Sequence, residues 1–171
     1  EPLHYLPVVP GMIGPFIESL QSAAIQPCGV NVIGAMPDLV PLRQIAEITS
    51  LLGAPYLNTF GSTETGIPPA TASMLPIGKV PGSLAKEQSS FCEVRLVDED
   101  DNDVADGEPG ELLTRGPTLF SAYWADEGAT EHAFRDNWYH MGDVCRRTED
   151  GRFEFIDRRK YLIKSGGENI Y

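Results

Sequence analysis

A strand–helix–strand pattern in residues 30–60 constrains the fold more than any other feature of this sequence. Short apolar runs at 30–34 and 56–60 flank a segment that ends at Gly53. Its apolar residues recur with helical spacing: Leu42, Ile45, Ile48, Leu51 and Leu52. Two strands that flank a helix make a βαβ unit, so the sequence predicts a parallel sheet here.

The rest of the chain divides into two kinds of pattern. Residues 11–25 have apolar positions on one helical face and are predicted to form a helix. After Gly66 helical signals are few, and a helix is predicted only near 127–135. Apolar and polar residues alternate in three segments, as in half-buried antiparallel strands: 91–97, 111–115 and 152–156. We therefore predict an α/β portion, a boundary near residue 82 and a small antiparallel, barrel-like β subdomain.

Charge and composition exclude several classes of partner. The 171 residues include 13 Lys and Arg against 25 Asp and Glu, a net charge of −12. Such a chain is repelled by nucleic-acid backbones and anionic membrane surfaces. No apolar run approaches the ~20 residues that a membrane span needs. The cysteines, Cys28, Cys92 and Cys145, form no disulfide or metal-binding pattern, which indicates a reducing cytoplasm.

Both ends of the sequence indicate a piece of a larger protein. Residue 1 is not Met, and the chain stops on Ile170 and Tyr171 within an apolar stretch.

Several familiar sites are excluded by spacing. The acidic run from Asp98 to Asp106 has Asp103 and Pro109 where an EF-hand loop needs Gly and Glu, so a solvated hairpin is expected. The histidines lack metal-binding spacing and are expected to be surface or packing residues: His4, His132 and His140.

Two segments carry candidate chemistry. Residues 58–66 (NTFGSTETG) follow a predicted parallel strand and combine an aromatic ring, hydroxyls and a carboxylate. This set suits a phosphate with Mg²⁺, but it also suits an ordinary turn before an N-capped helix. Asp143 follows Gly142 at the predicted end of a strand, where it could accept hydrogen bonds from both ribose hydroxyls or simply belong to a hairpin.

Five stretches together resemble the adenylate-forming superfamily of acyl-CoA synthetases, luciferases and peptide-synthetase adenylation domains. In order they are 58–66 (NTFGSTETG), 110–124 (GELLTRGPTLFSAYW), 138–144 (WYHMGDV), 149–160 (EDGRFEFIDRRK) and 163–171 (IKSGGENIY). The resemblance implies that residues 1–82 carry the AMP and Mg²⁺ loop. It further implies that 83–157 form the antiparallel subdomain and that 158–171 form the hinge to a C-terminal lid.

The resemblance also implies roles for individual residues. Glu64 would hold Mg²⁺, Thr63 would bind the α-phosphate and Phe60 would stack near adenine. Other nucleotide-binding positions would be Gly34, Ala35, Met36, Asn58, Thr59 and Gly61. Asp143 and Arg158 would bind the ribose.

In the stretch 163–171, Gly166 and Gly167 would line the pantetheine channel. Lys160 would be the hinge, with a plain surface lysine as the alternative. Departures from the family pattern fall at Met141, Ala122 and Tyr161.

The function implied is activation of a carboxylic acid by ATP and Mg²⁺, followed by transfer of the acyl group to coenzyme A. Fatty acid metabolism is one setting for such a ligase, and a homo-oligomer is possible. The alternatives are an adenylation domain that loads a carrier protein and a non-catalytic nucleotide-binding piece. Asp157-Arg158 and the Gly-Gly-Glu-Asn tail favour CoA as acceptor. The family's upstream phosphate loop and downstream lysine are not in this sequence, so we expect the isolated chain to be inactive.

Overall fold

The computed structural model describes residues 4–23, 29–34 and 36–158, and the backbone of two short strands at 163–165 and 168–170. The chain divides into two compact units. The first contains Glu1–Phe60 and Thr71–Lys86, and the second contains Gly61–Ala70 and Glu87–Tyr171.

The helices are α1 (Ile13–Ser22), α2 (Leu42–Leu52) and α3 (Glu127–Ala133), and short 3-10 helices lie at Pro10–Met12 and Pro37–Leu39. The strands in chain order are β1 (Tyr5–Leu6), β2 (Val32–Ile33), β3 (Tyr56–Asn58), β4 (Gly61–Ser62), β5 (Gly66–Pro69), β6 (Ser73–Leu75), β7 (Glu93–Val97), β8 (Gly110–Arg115), β9 (Phe134–Arg135), β10 (Trp138–Arg147), β11 (Phe153–Arg158), β12 (Ile163–Ser165) and β13 (Glu168–Ile170).

The first unit is built on a sheet with the strand order β1-β2-β3-β6. β1, β2 and β3 run parallel, and β6 pairs antiparallel with β3. The buried faces of α1 and α2 join Ile33 and Tyr56 in one apolar core. Burying an Ile or Leu side chain contributes about 1.5–3 kcal/mol, so this core is what holds β2 and β3 in place.

The second unit is built on an antiparallel sheet with the strand order β11-β10-β8-β7, and β9 also pairs with β10. β10 is the longest strand of this sheet, and its side chains alternate between buried and less buried positions. The β4–β5 hairpin also belongs to this unit: the Ser89 N–H donates to the Pro69 carbonyl at 2.8 Å. β12 and β13 pair antiparallel with each other.

The predicted fold class is confirmed, with a parallel βαβ portion and an antiparallel sheet. The predicted helix at 42–52 is α2, which ends at Gly53 in a left-handed conformation with φ of +62°. The predicted strands at 91–97, 111–115 and 152–156 are β7, β8 and β11, with ends that differ by up to two residues.

Other boundaries differ more. The first helix is Ile13–Ser22 rather than 11–25, and residues 24–28 lie outside the described residues. The strands predicted at 30–34 and 56–60 are the shorter β2 and β3. The helix predicted at 127–135 ends at Ala133, where the chain turns into β9. The domain boundary near residue 82 stays a prediction.

The acidic run is a hairpin connection between β7 and β8, as expected. The Asp98 N–H donates to the Asn102 carbonyl at 2.9 Å. The Asp98 carboxylate accepts from the N–H groups of Asp100 and Asn102 at 2.9 and 3.0 Å. Its carboxylate oxygen therefore stabilises the turn itself.

The space around Gly34 leaves no room for a side chain, which gives a first prediction. Its φ is +97°, and a Cβ at this position would lie 2.2 Å from the Tyr56 ring. Gly34→Ala should therefore lower the free energy of unfolding by about 2–5 kcal/mol, from backbone strain plus steric overlap. Urea unfolding of the protein measures this loss. Gly53→Ala is the matched control because its φ is also positive but nothing lies within 4 Å. Equal losses in the two variants would contradict the steric argument.

Candidate functional site

Glu64 lies in the turn between β4 and β5. The Glu64 N–H donates to Ser62 Oγ at 3.2 Å, and the Ser62 N–H donates to Thr65 Oγ1 at 3.0 Å. The Thr65 side chain is fully buried, whereas Thr63 is exposed and Glu64 is half-buried. The turn thus uses Ser62 and Thr65 for its own backbone and leaves Thr63 and Glu64 accessible. β5 follows this turn, so the alternative of an N-capped helix is wrong.

Gly61 allows the hairpin to close. A Cβ on Gly61 would lie 2.0 Å from the Gly66 carbonyl oxygen. Since no side chain fits there, the glycine of the predicted loop is explained by close backbone approach.

The Glu64 carboxylate has a hydrogen-bond partner far along the chain. The Tyr123 hydroxyl donates to Glu64 Oε1 at 3.0 Å. Burial by itself would raise the pKa of Glu64. Hydrogen bonds from its own backbone N–H, Ser62 and Tyr123, with the charge of Arg158, lower this pKa below its ordinary value. The carboxylate is therefore ionised at neutral pH.

Asp143 and Arg158 form an ion pair across β10 and β11. They are direct partners in the antiparallel register, and Arg158 Nε donates to Asp143 Oδ1 at 2.8 Å. Asp143 is 4% exposed. Burial raises its pKa to about 6, although Arg158 opposes this shift. The structure thus brings together the two residues predicted to bind the ribose.

The prediction that Asp143 ends a strand is wrong. Asp143 lies inside the ten-residue strand β10. Gly142 has φ of +71°, and the pairing of β10 with β8 shifts register between His140 and Val144. The glycine that suggests a strand end therefore marks an irregularity within a continuous strand.

A cleft of about 900 Å³ in the second unit connects these groups. Its lining includes Glu64, Tyr123, Gly142 and Arg158. Met141, the departure from the family pattern, also lies at this cleft and is 5% exposed. Glu64 of the hairpin turn and Arg158 of the sheet therefore face one space.

His140, Arg135 and Glu111 form a polar cluster on the same cleft, to which the sequence analysis assigned no function. The His140 side chain is 5% exposed, and its Nδ1 lies 2.7 Å from Arg135 Nη2 and 3.4 Å from Glu111 Oε2. Burial lowers the pKa of His140, although the charge of Glu111 opposes this. Because an arginine can only donate, Nδ1 accepts the 2.7 Å bond and His140 is neutral. His140 is thus a packing residue, as expected, while His4 and His132 are exposed.

Two tyrosines are functional candidates that the sequence reasoning missed. Tyr123 and Tyr139 both line the cleft, and the Tyr123 hydroxyl is the one that donates to Glu64 Oε1. Burial is the main cause that raises the pKa of Tyr139 and of Tyr123. Both hydroxyls therefore keep their protons and can donate at neutral pH. The sequence signal that could have identified them is their position in the stretches 110–124 and 138–144, which resemble the family.

The first unit holds other predicted positions. Asn58 Oδ1 and Thr59 Oγ1 are buried and have no hydrogen-bond partner in the part of the chain that the structure describes. An unsatisfied buried polar group costs about 1–3 kcal/mol, so both atoms suit a bound ligand. Met36 has φ of +47°, an uncommon conformation for a residue other than glycine. Phe60 is 1% exposed, so stacking on adenine requires its ring to be uncovered. Its predicted role stays a prediction.

Four predicted positions lie outside the described residues: Ala35, Lys160, Gly166 and Gly167. The departure at Tyr161 lies outside them too.

The described residues could bind Mg²⁺ only together with ligands from a substrate. Among the described residues, no group of three or more His, Cys, Asp or Glu could hold a metal ion by itself. Mg²⁺ is commonly held by one or two carboxylates while water and substrate phosphates fill its other positions. The ionised, half-buried carboxylate of Glu64 meets this requirement only together with a phosphate ligand.

Residues 4–124 match the AMP-binding enzyme family. This chain belongs to that family. The predicted membership of the adenylate-forming enzymes is confirmed.

Individual relatives agree with the family. Indoleacetate–CoA ligase from Aromatoleum aromaticum is 36% identical over 133 residues, which cover 78% of this chain and 26% of that protein. A long-chain-fatty-acid–CoA ligase from Escherichia coli O157:H7 is 34% identical over 134 residues, covering 77% of this chain and 24% of that protein. The chain thus spans about a quarter of the length of the curated relatives it matches.

A solved structure shares the architecture. O-succinylbenzoate coenzyme A synthetase from Bacillus subtilis, in complex with ATP and magnesium ion, aligns with a TM-score of 0.69 at 25% identity. The alignment covers 99% of this chain and 34% of that one. In the described part of the chain, no helix combines the length and apolarity needed to cross a membrane.

The raised pKa of Asp143 predicts a pH-dependent stability. The native state binds this proton more tightly than the unfolded chain, so stability is lost as pH rises through the interval between the ordinary pKa of 3.8 and about 6. Between about pH 4 and about pH 7 the loss attributable to Asp143 is about 2–3 kcal/mol. Urea unfolding at both pH values should show this loss for the wild type and not for Asp143→Asn. Parallel pH profiles for the two proteins would contradict the assignment.

Proposed function

We propose that this protein is part of an ATP-dependent ligase that activates a carboxylic acid as an acyl-adenylate and transfers the acyl group to CoA. One observation carries the proposal: Glu64 and Arg158, which binds Asp143, line one cleft. A metal-binding carboxylate and an acceptor for a sugar diol are the two polar features that a nucleotide–Mg²⁺ complex needs.

The Asp143–Arg158 pair is the proposed ribose site. An ionised carboxylate accepts several hydrogen bonds, so Asp143 can receive the ribose hydroxyls while it keeps its bond from Arg158. Arg158 supplies a second contact from the side that lines the cleft.

The β4–β5 turn is the proposed phosphate site. The exposed Thr63 hydroxyl donates to an α-phosphate oxygen, and Glu64 holds Mg²⁺. Mg²⁺ held by Glu64 would supply the positive charge that offsets the phosphates. Gly61 allows the close backbone approach that keeps this hairpin closed.

The family resemblance supports further contacts to the nucleotide. We propose that Phe60 stacks near adenine and that Asn58 and Thr59 are polar contacts, since their side-chain oxygens have no hydrogen-bond partner among the described residues. The Gly34, Ala35 and Met36 loop is proposed to lie along adenine and the acyl group.

The reaction has two displacements. A carboxylate oxygen of the acid attacks the α-phosphorus of ATP, and the bond to pyrophosphate breaks. The CoA sulfur then attacks the acyl carbon, and AMP leaves. The residues of this chain position the nucleotide and stabilise charge, and none of them forms a covalent bond with the substrate.

CoA ligases among the relatives support CoA as the acceptor. On this proposal Gly166 and Gly167 line the channel for pantetheine, and Lys160 is the hinge before a C-terminal lid. We further propose a cytoplasmic enzyme of fatty or related acid metabolism, which works as a monomer or a homo-oligomer.

Pyrophosphate release by the complete enzyme, assayed with a panel of fatty and aryl acids, tests this function. CoA-dependent AMP release then separates a CoA ligase from an adenylation domain that loads a carrier protein. Binding of AMP without any acid-dependent turnover would favour a non-catalytic nucleotide-binding protein instead.

Asp143→Ala in the complete enzyme should weaken binding of ATP and AMP by about ten- to a few hundredfold. The estimate follows from about 1.5–3 kcal/mol for each hydrogen bond to a charged group. Isothermal titration with AMP measures it, and Asp150→Ala is a control because Asp150 is an exposed hairpin residue. Wild-type affinity in Asp143→Ala would remove Asp143 from the site.

Glu64→Gln should slow adenylate formation by about 10²–10³-fold, the usual effect of losing a charge-stabilising group. Thioester formation from preformed acyl-adenylate should stay largely intact, because the metal serves the step that releases pyrophosphate. Stopped-flow assays of the two half-reactions separate these effects. Equal losses in both would point to a structural role for Glu64.

A further inference from the structure

We propose that Tyr123 is a positioning residue, whose hydroxyl fixes the carboxylate of Glu64 in the orientation that the metal-dependent adenylation step requires. This inference rests on the proposed function and assigns a role within it to the stretch 110–124.

The segment that carries Tyr123 holds Glu64 at two points. The Phe120 N–H donates to the Glu64 carbonyl at 2.9 Å, and the Tyr123 hydroxyl donates to Glu64 Oε1 at 3.0 Å. The first bond fixes the backbone of the turn, and the second fixes the end of the side chain. A glutamate otherwise rotates about several bonds, so both contacts together select one orientation.

The ionised carboxylate of Glu64 fixes the direction of its hydrogen bond with Tyr123. An ionised carboxylate can only accept, so Tyr123 must donate to Glu64. The Glu64 N–H donates to Ser62 Oγ at 3.2 Å, so the backbone of the turn is held at this residue as well.

Aromatic packing around Tyr123 keeps its hydroxyl in place. The Phe120 ring lies 4.8 Å from the Tyr123 ring and 5.3 Å from the Tyr139 ring, centroid to centroid. Phe134 contacts Phe120 and Tyr139 at 5.2 and 5.4 Å. The Tyr123 N–H also donates to Thr130 Oγ1 at 3.0 Å, which ties this residue to α3. The donor to Glu64 is therefore pre-organised before substrate arrives.

Loss of the hydrogen bond from Tyr123 should affect metal binding in particular. A carboxylate that must present an oxygen to Mg²⁺ loses affinity when it rotates freely, because ordering it then opposes binding. Removing the Tyr123 hydroxyl should weaken metal binding and slow adenylate formation. It should leave the displacement of AMP by CoA unchanged.

Tyr123→Phe in the complete enzyme tests this, since it keeps the ring and removes the hydroxyl. Electron paramagnetic resonance measures Mn²⁺ binding in the presence of a non-hydrolysable ATP analogue. We expect the Mn²⁺ dissociation constant, and the Mg²⁺ concentration for half-maximal adenylate formation, to rise by about tenfold, as for loss of a hydrogen bond to a charged group. The KM for the carboxylic acid and the thioester half-reaction should not change.

Two further variants separate positioning from stability. Phe134→Leu loosens the aromatic packing but keeps the Tyr123 hydroxyl, so it should lower the Tm and raise the Mn²⁺ dissociation constant much less than Tyr123→Phe does. Tyr139→Phe removes a hydroxyl on the same cleft while Tyr123 keeps its bond to Glu64, so it should change that constant less than Tyr123→Phe does. Tyr123→Leu provides the test if Tyr123→Phe does not fold.

Wild-type Mn²⁺ affinity in the Tyr123 variants would overturn the proposal, as would equal slowing of the two half-reactions. A shift in Phe134→Leu as large as that in Tyr123→Phe would assign the effect to packing and overturn it too. Absence of adenylate formation by the wild-type enzyme would instead overturn the proposed function, and the Mn²⁺ titration would then decide the positioning role alone.

Discussion

A carboxylate at a core position of β10 is the constraint on which the second unit depends. The alternation of this strand buries Tyr139, Met141 and Asp143 on the same face. Burying an ionised carboxylate without a partner is costly, so this strand needs a cation opposite Asp143. The register of β10 with β11 supplies Arg158 at that position. A slip by one residue would move Asp143 and Tyr139 off the buried face and separate the pair.

Most of the fold could be predicted where a periodic apolar pattern is long enough. α2 has a full amphipathic pattern and a glycine after its last residue, so both the helix and its C-terminal end could be predicted. β1 has two residues, and the segment that contains β5 includes Pro68 and Pro69, so neither offers an alternating pattern to detect. Such strands form because neighbouring strands pair with them, which is information that a local pattern does not contain.

The site was predictable to the extent that it is local in sequence. Motif resemblance identified Asp143 and Arg158 separately, but it could not indicate that they bind each other in the free protein. Gly142 suggested a strand end, because a glycine–aspartate pair usually marks a turn, whereas here it lies within β10. The bond between Tyr123 and Glu64 joins positions 59 residues apart, and no spacing rule reaches that far. Tertiary packing alone brings them together.

Charge decides which part of a nucleotide the Asp143–Arg158 pair can accept. The chain carries a net charge of −12, and the described arginines that line the cleft are Arg135 and Arg158. Each already binds a carboxylate, Asp101 and Asp143 respectively. A phosphate that drew Arg158 away would leave Asp143 buried without its counter-charge, and breaking such a pair costs about 3–5 kcal/mol. A ribose diol donates to the carboxylate and leaves the ion pair intact. On the proposed function the pair therefore suits the sugar, and a metal ion at Glu64 would supply charge that offsets the phosphates.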